Sequence, residues 1–427
     1  MNIGNAKNED LKRAVEALRN GVPNRDAVQF LGCGQAAVEE RFREQLIAVE
    51  PRLQEGRQAE GMLILGGFGS GKSHVLEYLR HIALEQNFVC SRVVISKETP
   101  LYDPGKLYAA AVEAAVVPGS TGAAIQEVAL KLRQDSPRYG EFCKWANSEE
   151  SGIAPVFPAT LLLWERLSGD PEMQEDIAGF WAGEKLAVAR VRSGLKQIGQ
   201  SAAYNVRTVK LKELAPQRFR FASRLIRAAG YRGWVLLIDE IEMIGRYSLL
   251  QRANSYAEVA RWMGQVEAEQ CAGLTAVAAI VDSFVAAVLR GKEDKDLAGA
   301  RLRAKGTDES TAAAARAETG MRIIEREAVE LVRPGDDVLD QTYRTLKSIH
   351  AAAYRWDPPD ILPAEQTKLR EMRAHVRRWI SEWDLKRLYP DMEVRTEEEE
   401  LTFDYSENAD LETPAEDAPA SDQDIGT

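Results

Sequence analysis

The sequence has few of the residues that mark disulfide-rich or metal-binding proteins. Its four cysteines are far apart in 427 residues and no two form a CxxC pair, which argues against a disulfide framework and a zinc knuckle. The four histidines also lack metal-ligand spacing, since the closest two, His74 and His81, fall seven residues apart on one predicted helix. We therefore expect no transition-metal site.

Long hydrophobic runs are absent as well. The most apolar stretch, residues 273–289, is interrupted by Asp282, and it is shorter than the roughly 20 uncharged residues that a bilayer span requires. The first residues show no basic stretch followed by an apolar core. The sequence therefore predicts a protein with no membrane span and a cytoplasmic location.

Aromatic residues are scarce, at 7%, but 45% hydrophobic and 28% charged residues are typical of a globular chain, and the length suits two or three packed units. The net charge of −11 is concentrated in residues 391–427, which hold fourteen acidic residues and one arginine, so the other residues are nearly neutral together. We expect this acidic tail to be disordered because it has too few large apolar residues for a core. Solvation is its simplest role, and autoinhibition of a basic site is the alternative.

The first half of the chain predicts a helical segment followed by the start of a parallel sheet. Residues 1–58 hold three short amphipathic patterns. The apolar run at 62–65, a glycine-rich turn, a helical pattern at 72–85 and a second apolar run at 89–95 then follow in order. Strand, loop, helix and strand form a βαβ unit.

The remaining patterns complete an α/β fold whose parallel sheet is flanked by helices. Residues 100–228 predict a large helical insertion, and strand patterns resume at 234–238 and 274–281 and, less clearly, at 322–332. Helical patterns at 339–354 and 364–388 predict a C-terminal helical lid. We expect an N-terminal segment at 1–58, a core at 59–333, a lid at 334–390 and the tail at 391–427.

The strongest motif is a full match to G-x-x-x-x-G-K-[ST] between a predicted strand and helix, which indicates a phosphate-binding loop. Glycines leave room for backbone N–H groups to surround a triphosphate. Lys72 is then expected between the β- and γ-phosphates of ATP, and the Ser73 hydroxyl on Mg²⁺. The candidate cofactor-binding residues are Gly67, Phe68, Gly69, Ser70, Gly71, Lys72, Ser73 and His74; the chemistry does not require Phe68 or His74.

Two carboxylates follow the apolar run at 234–238. Asp239 is the candidate Mg²⁺ ligand, acting through the water shell, and Glu240 is the candidate catalytic residue that polarises the attacking water. The alternative is that both acids cap the next helix. Glu242 is interpreted as a surface or capping charge.

Three further candidates are assigned from their places after strand patterns. Asp282 follows the 274–281 pattern and is a candidate sensor of the γ-phosphate, with helix capping as the alternative. Arg322 and Arg326 are candidate fingers that reach a neighbouring subunit's nucleotide, with surface salt bridging as the alternative. Three arginines of the last long helix are candidate lid contacts to the γ-phosphate, again with surface salt bridging as the alternative. They are Arg373, Arg377 and Arg378.

Four segments together resemble the ATP-binding family of the bacterial phage-exclusion (BREX) systems, of the BrxC/BrxD type, and most of all its shorter BrxD-like members. The segments are RNGVPNRDAV at 19–28, GGFGSGKSH at 66–74, SRVVISKETPLY at 91–102 and GYRG at 230–233. The resemblance implies an AAA+-like P-loop NTPase related to origin-recognition initiators. It further implies an ATPase that works on DNA with other defence proteins, such as a helicase. Residues 291–318 depart from the expected family pattern and are interpreted as a solvated excursion.

A basic region at 185–232 holds twelve lysines and arginines and the single acid Glu213. With Tyr204, Phe219 and Phe221 interleaved, the region is a candidate DNA-binding surface with phosphate contacts and base stacking. The alternative is an amphipathic helical region whose aromatic residues face the core.

Two functions of different classes fit the sequence. The first is an ATP-hydrolysing motor or switch that assembles as a homo-oligomer or with partner proteins. The second is a nucleotide-sensing adaptor or helicase loader with slow or no turnover. A small-molecule kinase is less favoured because the pair of Asp239 and Glu240 suits activation of water.

Overall fold

The computed structural model describes residues 7–21, 25–361, 371–391, 404–408 and 411. It begins with the three expected short helices: α1 (Asn8–Arg19), α2 (Arg25–Leu31) and α3 (Ala36–Gln54). Leu11, Val15 and Leu18 recur at helical spacing on α1 and are buried. The apolar spacing therefore predicts the first helix correctly.

A six-stranded sheet forms the centre of the fold. Its strands are β1 (Met62–Gly66), β2 (Val89–Val94), β3 (Ala115–Val116), β4 (Trp234–Asp239), β5 (Leu274–Val281) and β6 (Val329–Glu330). Their order is β3-β2-β4-β5-β1-β6, and every pair is parallel except β2 with β3. The four strong strand patterns are confirmed, since continuous apolar runs are what strands buried on both faces require.

Helices cover both faces of this sheet. Helix α4 (Lys72–Glu85) joins β1 to β2 and packs with α3 on one face, where Phe42, Leu46 and Leu79 are buried. The expected N-terminal segment is therefore divided: α3 belongs to the core of the sheet, whereas α1 packs elsewhere.

The region 100–228 is helical, apart from β3. Its helices are α5 (Pro104–Glu113), α6 (Ala124–Leu130), α7 (Pro137–Ala146), α8 (Val156–Arg166), α9 (Pro171–Ala182), α10 (Val188–Gln197) and α11 (Leu211–Ala228). Three of them begin with a capping side chain followed by proline, at Asp103, Ser136 and Asp170. Such residues accept orphan helix N–H groups, and proline needs no partner there.

The region between β4 and β6 differs from the sequence prediction. It contains α12 (Leu249–Trp262), α13 (Asp294–Arg303) and α14 (Asp308–Arg322). The stretch 291–318 is therefore a packed helical pair and not a solvated excursion. Gly320 lets α14 cross α12 closely, because a Cβ there would lie 1.9 Å from the Tyr256 carbonyl oxygen.

The prediction of a strand at 322–332 is also mostly wrong. Arg322 ends α14, a π-helical turn covers Ile323–Glu327, and only Val329–Glu330 pairs with β1. Ile323 and Ile324 are buried at adjacent positions. A short apolar run of this kind does not distinguish a strand from a buried helical turn.

The C-terminal helices α15 (Asp336–Tyr354) and α16 (Met372–Leu388) pack against α1. Residues 362–370, part of the helix expected at 364–388, lie outside the described residues, as does most of the acidic tail. Residues 404–408 and Leu411 are described, and they pack on the core. The expectation of disorder therefore does not hold for these six residues.

Candidate functional site

The carboxyl ends of β1, β5 and β4 lie side by side at one edge of the sheet. Gly66 pairs with Val281, and the backbone N–H of Asp282 donates to the Gly66 carbonyl oxygen at 3.2 Å. Because β5 separates β1 from β4, Asp282 lies between the glycine-rich loop and Asp239. Crevices at this edge of open parallel sheets are the usual ligand sites.

The glycine-rich loop turns sharply into α4. Gly69 and Gly71 have φ values of 85° and 97°, which side chains rarely allow. Helix α4 begins at Lys72, and the first N–H groups of a helix have no intrahelical acceptor. The loop therefore presents amide donors and the positive end of the helix dipole to the crevice, as anion binding requires.

Lys72 is 8% exposed, and its ammonium donates to the carbonyl oxygens of Gly66 at 3.0 Å and Gly67 at 2.9 Å. Burial lowers the pKa of Lys72, and the neighbouring carboxylates of Glu242 and Asp239 oppose that effect. The cation is thus held over the loop and beside the acids.

Asp239, at the end of β4, is 2% exposed and has both carboxylate oxygens paired. Arg92 Nη2 lies 2.7 Å from Oδ2, and the Glu240 backbone N–H donates to Oδ1 at 3.0 Å. Arg92 also approaches Glu77 of α4, at 3.6 Å. Arg92 is not among the residues predicted from the sequence, although a charged side chain inside a mostly apolar strand is a usable signal.

Glu240 and Glu242 differ in environment. Glu240 is exposed, adopts φ 59°, and has a pKa raised by partial burial and by the charge of Asp239. Glu242 is 5% exposed, and burial raises its pKa to about 7 although the charge of Lys72 opposes the shift. The interpretation of Glu242 as a surface charge is therefore wrong.

A cavity lies between the loop, the acids and the helices α1, α2, α15 and α16. Its lining includes the loop from Phe68 to Ser73 and the acids Asp239, Glu240 and Glu242. Leu18, Leu31 and Val338 contribute apolar walls from α1, α2 and α15. An apolar wall beside convergent polar groups suits a ligand with an aromatic base and a charged phosphate chain.

Two of the loop candidates have further contacts. Phe68 is 41% exposed and lines the cavity. His74 also lines it, but its Nε2 lies 2.6 Å from the Gly32 carbonyl oxygen, so this nitrogen donates, and burial lowers the pKa of the ring. The hydrogen bond of His74 therefore connects the loop after α2 to helix α4.

The sensor and finger candidates fall in different places. Asp282 is exposed beside Gly67, and the following π-helical turn begins after Phe284 without a side-chain cap. Arg322 pairs with Glu327 at 3.2 Å, and Arg326 is 72% exposed. Arg322 also bonds to Gln265, which precedes β5, so Arg322 lies toward the amino-terminal end of β5, whereas the loop lies at the carboxyl ends of the strands.

Of the lid arginines, Arg373 lines the cavity, where its backbone N–H lies 3.4 Å from the Gly69 carbonyl oxygen. Arg378 pairs with Glu382 at 2.6 Å, and Arg377 is exposed. The structure therefore brings only the first of the three into contact with the loop.

Three buried polar atoms at this cavity have no hydrogen-bond partner among the described residues: Ser70 Oγ, Glu242 Oε2 and Arg373 Nε. Unpaired buried polar atoms are costly, so their clustering favours a polar ligand here. No group of three or more metal-ligating side chains occurs within the described ranges. Ser73 and Asp239 both line the cavity, and their side-chain oxygens are of the kind that Mg²⁺ binds together with phosphate and water oxygens.

The basic region at 185–232 is only partly exposed to solvent. Phe219 and Phe221 are fully buried, so the expectation that they stack on bases is wrong. Arg218 is 7% exposed and donates to the Glu184 carbonyl oxygen. Among the side chains of this region that the structure describes, the exposed cations are Lys185, Arg192, Lys196, Arg207, Lys210 and Arg232.

The parallel sheet and the glycine-rich loop between β1 and α4 define a P-loop ATPase-like fold. The family model described as BREX system ATP-binding protein BrxC/D matches residues 7–130 and 201–375, and the chain belongs to this family. It is thus an ATP-binding protein of BREX anti-phage defence, a system in which it acts with other proteins.

No protein with curated annotation and no solved structure matches the chain. The four helices α7 to α10 fall between the two matched stretches. None of the helices in the described ranges has the length and apolarity to cross a bilayer.

Proposed function

We propose that the chain hydrolyses ATP with Mg²⁺ and acts as a DNA-associated, AAA+-like motor or switch in BREX defence. One observation carries the proposal: Lys72 of the loop and the acids Asp239 and Glu240 of a distant strand line the same cavity. A glycine-rich turn that served only to connect a strand to a helix would not need carboxylates from a distant strand opposite its lysine.

In this proposal each residue has a separate task. The loop amides from Gly67 to Ser73 and the Lys72 ammonium bind the phosphates. Ser73 and Asp239 hold Mg²⁺, which offsets the charge that develops on the transferred phosphoryl group. Glu240 orients the attacking water, and Asp282, which directly follows the neighbouring strand β5, senses the γ-phosphate.

The lid connects nucleotide binding to a change of shape. Arg373 lies beside the loop at the start of α16, and α16 packs on α1, whose Leu18 lines the cavity. Nucleotide in this cavity therefore acts on both α1 and α16. We propose that this coupling operates within a homo-oligomer, or an assembly with a helicase, and that the chain is of the BrxD-like type related to origin-recognition initiators. Arg322 and Arg326 remain candidates for contacts between subunits.

An adaptor or loader with slow turnover is the second candidate. The ion pair between Arg92 and Asp239 favours it, because the carboxylate expected to hold Mg²⁺ is already paired with a cation. Hydrolysis then waits for a change that frees Asp239. Both candidates require nucleotide binding through Lys72.

The test is ATP turnover by the purified protein with no DNA and with duplex, single-stranded and forked DNA. Lys72→Ala is compared with Lys144→Ala, which removes an exposed lysine of the insertion. We expect Lys72→Ala to lose both nucleotide binding and turnover, and Lys144→Ala to keep both. Turnover that survives Lys72→Ala would refute the hydrolase proposal, and tight binding with negligible turnover would favour the adaptor.

A further inference from the structure

Residues 404–408 and Leu411, here called the C-terminal strap, lie on the turns that follow β4 and β5. The Tyr405 ring meets Phe284 edge-on, with centroids 5.9 Å apart, and its hydroxyl lies 3.1 Å from Ser283 Oγ. A Cβ on Gly245 would lie 2.7 Å from Tyr405 Cδ1. The tyrosine therefore fills a gap that depends on glycine at position 245.

Backbone and apolar contacts hold the strap on both sides of Tyr405. Lys292 Nζ donates to the Tyr405 carbonyl oxygen at 2.6 Å, and the Asn408 N–H donates to the Arg246 carbonyl oxygen at 3.1 Å. Leu411 is buried in the main hydrophobic core. The contacts come from several elements, so the strap bridges them.

The carboxylate of the strap forms an ion pair with a buried arginine. Glu407 Oε1 lies 2.6 Å from Arg252 Nη1, and the Arg252 side chain is only 3% exposed. Arg252 also forms two hydrogen bonds with the fully buried Asp294, at 2.7 and 2.8 Å. Because the guanidinium can serve two carboxylates at once, Glu407 adds a charge-assisted bond without displacing Asp294.

The elements that the strap joins are those that carry the candidate hydrolytic acids. The 3₁₀ turn Ile241–Arg246 directly follows Asp239 and Glu240 and contains Glu242. Ser283 and Phe284 directly follow Asp282. Contacts to both turns therefore hold these two turns in place relative to each other.

We propose that the C-terminal strap docks in cis as a staple that holds the turn bearing Glu242 and, through it, positions Glu240 for hydrolysis. The docking surface fits a short segment with the pattern tyrosine, any residue, glutamate: a glycine-backed gap takes the ring, and a buried arginine takes the carboxylate two residues later. Tyr405 and Glu407 are thus positioning residues. The effect on turnover rests on the proposed hydrolase function, whereas the docking itself does not.

The docking is tested by amide hydrogen exchange of the full chain without nucleotide. Tyr405→Ala is compared with Tyr389→Ala, which removes an exposed tyrosine outside the strap. We expect exchange at residues 241–248 to become about tenfold faster in Tyr405→Ala, as loss of an aromatic contact would cause, and to stay unchanged in Tyr389→Ala. Glu407→Gln should give a smaller change in the same residues. Unchanged exchange in both strap variants would overturn the proposal.

Turnover provides the functional arm. We expect kcat to fall about fivefold for Tyr405→Ala while the nucleotide dissociation constant stays unchanged, since the strap touches the turns of the acids and not the glycine-rich loop. A rise in kcat would show an autoinhibitory strap and overturn the proposal. If the unaltered protein shows no turnover, the hydrolase proposal fails, and hydrogen exchange still decides whether the strap docks.

Docking in cis predicts that protection of residues 241–248 is independent of protein concentration. Exchange is therefore measured over a hundredfold dilution of the unaltered chain. Protection that disappears on dilution would show that a second copy supplies the strap, and would overturn the cis assignment.

Discussion

Arg92 of β2 and Asp239 of β4 form an ion pair on one face of the parallel sheet, with 2.7 Å between Nη2 and Oδ2. Val94 is the register partner of Asp239, so Arg92, two residues earlier, projects from the same face. Its guanidinium also approaches Glu77 of the phosphate-loop helix. The carboxylate proposed to hold Mg²⁺ is thereby connected to the helix that carries Lys72.

Replacing Arg92 with glutamine should lower the free energy of unfolding by about 2 kcal/mol. Loss of one partner leaves the carboxylate of Asp239 uncompensated at a buried position, and because Arg92 is 19% exposed we place the loss below that of a fully buried pair. Urea unfolding of the nucleotide-free protein measures the change.

Arg80→Gln is the matched control for Arg92→Gln. Arg80 also pairs with Glu77, at 3.3 Å, but it is more exposed and does not reach Asp239. We expect a loss of less than about 1 kcal/mol for this variant. Equal losses in the two variants would contradict a special contribution from the pair with Asp239.

The parts of the site that local patterns encode could be predicted from the sequence. The glycine-rich loop and the pair of Asp239 and Glu240 each occupy consecutive positions after an apolar strand. The apolar run and the local motif are therefore enough to predict them. The environment of Glu242 could not be predicted, because its burial depends on elements distant in sequence. The same limit applies to Arg92, whose partner is 147 residues away.

The incorrect predictions for residues 291–318 and for Phe219 and Phe221 have a common physical cause. Alanine-rich, charged sequence at 291–318 looks solvated, but alanine and glycine allow close helix packing against α12. Phe219 and Phe221 alternate with arginines, and both rings still face the core because arginines can extend from a mostly buried helix. Composition predicts solvation on average, and individual positions within a helix decide the outcome.

Glu240→Gln should reduce ATP turnover by roughly 10²- to 10⁴-fold, the range for loss of a catalytic base, while nucleotide affinity stays within about twofold. Glutamine keeps the size of the side chain but does not accept a proton from water. Steady-state phosphate release and a fluorescent-nucleotide titration measure the two quantities. Glu98→Gln, at an exposed position after β2, is the control; equal turnover in the two variants would remove Glu240 from the reaction.

Arg218→Glu should unfold the insertion locally and is unsuitable as a test of DNA binding. The Arg218 guanidinium lies over the Phe180 ring at 5.3 Å and donates to a backbone carbonyl, so an acid there would be buried without a partner. We expect a lower melting temperature for Arg218→Glu and an unchanged melting temperature when the exposed pair Lys185 and Lys196 is replaced by glutamate.

The exposed pair is therefore the variant with which to test DNA binding. If α10 and the residues just before it contact phosphates, reversing these two cations should weaken DNA binding and flatten its salt dependence without changing stability. Binding that is equal in affinity and salt dependence to that of the unaltered protein would place any DNA contact outside this segment.

Glu242→Gln should stabilise the nucleotide-free protein at pH 8 by up to about 3 kcal/mol and have little effect at pH 4.5. Burial raises the pKa of Glu242 to about 7 in the folded state, against 4.5 for an unperturbed glutamate. As the pH rises through this interval the unfolded state loses its proton first, so ionisation increasingly favours unfolding. Glutamine removes that contribution. Urea unfolding at both pH values measures the difference; a gain that is the same at pH 4.5 and pH 8 would show that Glu242 titrates normally in the folded protein.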